Sequence, residues 1–146
     1  MDKALSYLSL ARKAGRTELG EEAVGAAARA EKAPLIVVAA DAADRTFRRA
    51  KSFTAGTQQQ CLRLPVSKAE LGQSVGRSEL AIAAVTDAAL ALALVKALPE
   101  PQKYSGITEA LETRVSRIRQ REKEEKAHQR NRRTGKAHHA AQKKEH

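Results

Sequence analysis

Two short apolar runs limit what this chain can become. Leu35–Ala39 reads LIVVA and Leu80–Val85 reads LAIAAV. Each is too short for a helix of ordinary length and has no polar alternation, so each is the pattern of a strand buried on both faces. A strand of that kind needs a layer of helices on either side of its sheet. The intervening segments supply them. Leu5, Leu8 and Ala11 recur at helical spacing in the first dozen residues. Gly20 opens a helix with Glu21 and Glu22 in its first turn and Arg29 and Lys32 near its end, which suits the helix dipole, and Pro34 is expected to stop it.

Further along, Asp41 to Ala55 reads as a helix capped by Asp41 or Asp44, with Arg45, Arg48, Arg49 and Lys51 on its surface. Cys61–Val66 reads as a short strand. Ser67-Lys68-Ala69-Glu70 is a capping-box pattern opening a helix through Val75, and Gly76–Glu79 is a loop. Asp87 can cap a final Ala/Leu helix ending near Leu98. With a strand at Arg16–Leu19, helices and strands alternate from residue 3 to residue 98. The expected fold is α/β: a three-layer α/β/α sandwich around a small mixed central sheet.

Pro99-Glu100-Pro101 is expected to separate this domain, residues 1–99, from a basic extension, residues 100–146. Ile107, Leu111, Val115 and Ile118 give the extension a short apolar stripe on a helix running to about Ala127. From His128 onward no apolar pattern remains, and disorder is expected in the free chain. Of 146 residues, 27 are Lys or Arg and 17 Asp or Glu, a net charge of +10. Residues 1–99 hold 14 basic and 10 acidic side chains, a net of +4; residues 100–146 hold 13 and 7, a net of +6. That balance points to a polyanion partner. Aromatics make up only 3% of the chain and are scattered, which argues against base stacking on an aromatic platform.

The single cysteine, Cys61, allows no internal disulfide and reads as a buried thiol. No signal pattern opens the chain and no apolar run approaches a membrane span, so a cytoplasmic protein is expected. All four histidines (128, 138, 139 and 146) lie in the extension, without ligand spacing for a metal and too far along to form a triad in the domain. No glycine-rich phosphate cradle follows a strand. No enzyme, cofactor or metal is expected.

The order and spacing of several pieces resemble a known family. They are Leu5-Ser6-Tyr7-Leu8-Ser9-Leu10-Ala11-Arg12-Lys13-Ala14-Gly15, Gly20-Glu21-Glu22, Leu35–Ala39, Glu70-Leu71-Gly72 and Ala84-Val85-Thr86-Asp87. Together, over residues 4–98, they are similar to the ribosomal L-seven-Ae family, and most of all to its small bacterial YlxQ-like branch. The resemblance implies a non-catalytic α/β/α domain that binds structured RNA, of kink-turn type and ribosomal, with ribosomal or translation proteins as further partners and a monomeric state.

In that family a Gly-x-Asn-Glu-x-x-Lys corner reads guanine edges and touches the RNA backbone, and the loop before the last strand caps flipped-out bases. Here Gly20 keeps its place, while Glu22, Ala23 and Ala26 stand at the Asn, Glu and Lys positions. A register one residue along puts Glu22 on the family's Glu but Leu19 on its glycine. The absent lysine implies one phosphate contact fewer and a shallower salt dependence. The candidate RNA-binding residues are Lys13, Arg16, Gly20, Glu21 and Glu22 around the corner, and Arg77, Ser78 and Glu79 in the loop. The alternative is a protein-interaction module whose RNA corner has degenerated and whose apolar stripe docks on a partner.

Overall fold

The computed structural model describes the backbone of residues 1–145 and the side chains of residues 1–132. Helices α1 (Asp2–Lys13), α2 (Glu21–Arg29), α3 (Asp44–Thr54), α4 (Lys68–Gln73) and α5 (Ala88–Lys96) alternate with strands β1 (Thr17–Leu19), β2 (Leu35–Val38), β3 (Gln60–Arg63) and β4 (Ile82–Val85). A 3-10 turn (Pro101–Tyr104) then leads into α6 (Ser105–Glu145). The sheet order is β1-β4-β2-β3. β4 pairs antiparallel with both neighbours and β2 pairs parallel with β3, so the sheet is mixed, as expected.

The two apolar runs are the sheet's central strands, and every residue of β2 and β4 is buried. Val38 lies opposite Ile82, and Leu35 opposite Val85. Helices α2 and α3 pack together against the sheet, and α1 packs with α5. Alanines at the contacts (Ala4, Ala11, Ala28, Ala50, Ala91) are at most 3% exposed. The small side chains let the layers approach closely, as the Ala-rich composition requires.

Several boundaries differ from expectation for local reasons. Helix α2 ends at Arg29, well before Pro34. Its end is a Schellman motif in which the Glu31 and Lys32 N–H groups donate to the carbonyls of Ala28 and Ala27, with Glu31 in the left-handed region at φ 55°. Neither Asp41 nor Asp44 caps α3: its N-cap is Ala43, without a side-chain bond. Asp41 instead accepts the Lys68 N–H at 2.8 Å, at the start of α4. The capping box forms as expected between Ser67 and Glu70, and Asp87 caps α5 by accepting the Leu90 N–H.

The chain divides into two units, Met1–Glu112 and Thr113 onward. The first passes the boundary expected at residue 99 because the apolar stripe begins inside it: Leu111 is 1% exposed in the core and Ile107 packs against it. Helix α6, expected to end near Ala127, runs to Glu145. Its Lys, Arg, Gln, Glu and Ala residues are good helix formers, and its two glycines, Gly106 and Gly135, do not break it. His138, His139 and His146 lie outside the described side chains.

Candidate nucleic-acid interface

The corner is built by backbone geometry. Gly20 caps α2 at φ 92° and ψ 157°, a region essentially closed to residues with a Cβ. Its N–H donates to the Ile82 carbonyl at 3.1 Å, and its own carbonyl accepts the Val24 N–H at 2.9 Å. No side chain caps α2, so its first N–H groups stay available at the positive end of the helix dipole. Glu22 is exposed and Glu21 half-buried in that first turn.

The Gly20–Ile82 bond places the corner beside the entry to β4. Arg77, Ser78 and Glu79 are all exposed in the loop just before that strand. Two features hold the loop. The Arg77 N–H donates to the Gly72 carbonyl at 2.8 Å, and the Leu80 N–H donates to the Lys68 carbonyl at 2.9 Å. The structure therefore brings Gly20, Glu21, Glu22, Arg77, Ser78 and Glu79 to one end of the sheet. Because β2 and β3 run antiparallel to β4 or parallel to each other, the N-termini of α3 and α4 follow at that same end.

Lys13 and Arg16 are not part of this group. Both are exposed, but the Arg16 carbonyl accepts the Thr86 N–H, at the far end of β1. Four residue steps along an extended strand separate Arg16 from Gly20, about 13 Å. The sequence placed them beside the corner because they are near it in the chain; a strand carries them away.

Three residues that sequence reasoning left out line the corner's flank. Glu21, Glu22, Arg29, Arg49 and Phe53 surround a cleft of about 340 Å³ between α2 and α3. Glu21 Oε1 accepts the Arg49 Nε–H at 2.5 Å, and the Arg49 guanidinium lies 5.5 Å from the centre of the Phe53 ring. The one available signal was Gly25, a glycine inside an alanine-rich helix. A Cβ there would lie 2.9 Å from Phe53 Cζ and 3.3 Å from Arg29 Nη1.

Beyond the cleft, Phe47 carries Lys51 and Arg63 over its ring, each 4.6 Å from the centroid. Arg63 also donates to the Ala40 carbonyl and faces Asp44. Burial pushes the Cys61 thiol up to about 11, against a smaller opposing pull from Lys51. A thiol held neutral in this way is a poor nucleophile. Among the described residues no cluster of His, Cys, Asp and Glu could hold a metal ion, and no helix is long and apolar enough to cross a membrane.

No protein-family model matches the chain. The RNA-binding protein YlxQ of Enterococcus faecium is 36% identical over 75 residues, which cover 51% of this chain and 72% of that protein. Among solved structures, a protein of unknown function from Bacillus halodurans C matches with a TM-score of 0.61 at 26% identity, over 64% of this chain and 94% of the other. The Giardia lamblia 15.5kD RNA binding protein matches with a TM-score of 0.57 at 19% identity, over 75% and 87% of the two chains. The last of these likenesses establishes the fold alone.

Proposed function

Because this chain belongs to the YlxQ-like branch of the ribosomal L-seven-Ae family, we propose that it is a non-catalytic, cytoplasmic protein that binds structured RNA. The target is a kink-turn-like element, ribosomal in origin, met as a monomer during assembly of the ribosome or on it. The observation that carries this reading is the Gly20–Ile82 hydrogen bond, which sets the uncapped N-terminus of α2 beside the exposed Arg77-Ser78-Glu79 loop. One surface then offers backbone N–H donors, carboxylates able to accept from guanine, and a flanking polar loop. Helix α6 adds exposed cations, among them Arg119, Arg121, Lys123 and Lys126, for phosphate contacts that do not depend on sequence.

The rival reading, a protein-interaction module, needs Ile107, Leu111, Val115 and Ile118 as a docking stripe. Ile107 and Leu111 are used in the domain's own core, which favours the RNA reading. The test is crosslinking in cells followed by sequencing of the attached RNA, on three full-length chains: wild type, Glu22→Lys, and a chain with Arg119, Arg121, Lys123 and Lys126 changed to Gln. Discrete peaks on one folded element, kept by the Gln chain and lost with Glu22→Lys, are expected. Diffuse signal that vanishes in the Gln chain and ignores Glu22→Lys would overturn recognition at the corner.

A further inference from the structure

The geometry points to a phosphate-binding site in the α2–α3 cleft, formed by Arg29 and Arg49 and taking a phosphodiester of the bound RNA strand. This rests on the RNA reading above and says where one backbone contact is made. Position 26, where the resemblance implies a lysine, is an exposed alanine and can make none. Yet the cation is restored nearby from two directions.

Arg29 starts one turn further along α2, but its guanidinium folds back over Gly25, where Nη1 lies 3.3 Å from the point a Cβ would occupy. It forms no ion pair and no hydrogen bond among the described residues. Arg49 reaches the same cleft from α3. Glu21 binds it at Nε, one of the five N–H donors of a guanidinium, and the Arg49 side chain is 54% exposed. Phe53 lies between the two, with its ring against Gly25 and under Arg49. Glu21 is thus a positioning residue, while Glu22, exposed at the corner, lines the outer side of the same cleft.

The glycine supports the same conclusion. Inside a helix, Gly costs roughly 0.5–1 kcal/mol relative to Ala. Alanine occupies positions 23, 26, 27 and 28 around it, so the helix forgoes that gain only where Phe53 and the Arg29 guanidinium occupy the space of a Cβ.

The test is fluorescence anisotropy with the full chain and two labelled RNAs, a hairpin containing a kink-turn and a plain duplex of equal length, each titrated across a salt series. Arg29→Ala/Arg49→Ala is compared with Arg29→Lys/Arg49→Lys, and with Arg12→Ala/Lys32→Ala, which removes equal charge at the opposite end of the sheet. The double alanine variant is expected to weaken binding on the order of tenfold at fixed salt. Its slope of log affinity against log salt should fall by about 0.7–0.9, the loss of one phosphate. The lysine pair should restore the slope, and the control pair should leave it near wild type.

A wild-type preference for the hairpin, with the cleft and control variants giving equal slopes, would overturn the cleft site and leave recognition at the corner standing. Loss of the wild-type preference for the hairpin would count against the corner instead. The slopes on the duplex would then still decide whether the two arginines hold a phosphate.

Discussion

Replacing Gly72 by alanine tests how the loop of the interface is held. Gly72 lies in α4, and a Cβ there would sit 2.6 Å from the Glu79 Cα and 2.8 Å from its backbone N and C. These are main-chain atoms and cannot rotate away. Reaching ordinary contact at 3.4 Å requires the loop to move by about 0.8 Å, away from the hydrogen bond that joins Arg77 N–H to the Gly72 carbonyl. Overpacking of this kind costs about 1–3 kcal/mol, against a helix-propensity gain of up to about 1 kcal/mol. The middle of the first range less the full gain leaves a net loss of about 1 kcal/mol, or roughly 4 °C in Tm for a unit of this size.

Scanning calorimetry is the right assay, because the long α6 dominates far-ultraviolet dichroism. Gly106→Ala is the control: nothing lies within 4 Å of its Cβ position, so only propensity changes and Tm should hold or rise. RNA affinity should fall with Gly72→Ala, since Arg77, Ser78 and Glu79 shift together. A Gly72→Ala chain as stable as wild type, with unchanged affinity, would refute the packing argument and the role of the loop.

Three further outcomes follow from the fold. Gln59, 4% exposed, accepts the Ala33 N–H at 2.9 Å and donates to the Ala28 carbonyl at 3.1 Å; Gln59→Leu should cost about 1–3 kcal/mol in urea unfolding by stranding the Ala33 N–H, while the Ala28 carbonyl keeps the Glu31 N–H. Glu31→Gly should raise stability by up to about 1 kcal/mol, read as a higher urea midpoint, by relieving the left-handed conformation of a residue with a Cβ. The Cys61 thiol is held above its ordinary value of 9.0, at about 11, so the folded state binds its proton more tightly than the unfolded chain. Its contribution is full below pH 9 and is lost as pH rises toward 11. The difference in stability between wild type and Cys61→Ala should therefore narrow across that window, and alkylation of the native thiol should be slow at neutral pH.

The fold was legible because its strongest signals are local. LIVVA and LAIAAV admit little but central strands, and Ser67–Glu70 and Asp87 fix helix starts through bonds three residues long. Boundaries set by distant partners were not legible. Asp41 looks like a cap for the helix that follows it and serves α4 instead, because the parallel pairing of β2 and β3 brings the two turns together. Leu111 belongs to the core although two prolines precede it.

The candidate site divides along the same line. Gly20 and the Arg77 loop could be read from the chain, since one glycine and one strand entry define them. The displacement of Arg16, and the meeting of Arg29, Arg49 and Phe53 over Gly25, depend on how α2 lies against α3. Only the odd glycine in an alanine helix hinted at that.

The most direct test of the central claim is an amide NMR titration of the full chain with the kink-turn hairpin. Recognition at the corner predicts that the largest shifts fall on residues 20–29 and 76–80, at substoichiometric to equal RNA, with smaller changes along α6. Shifts confined to residues beyond 112, with Gly20 and Arg77 unmoved at saturation, would contradict the account.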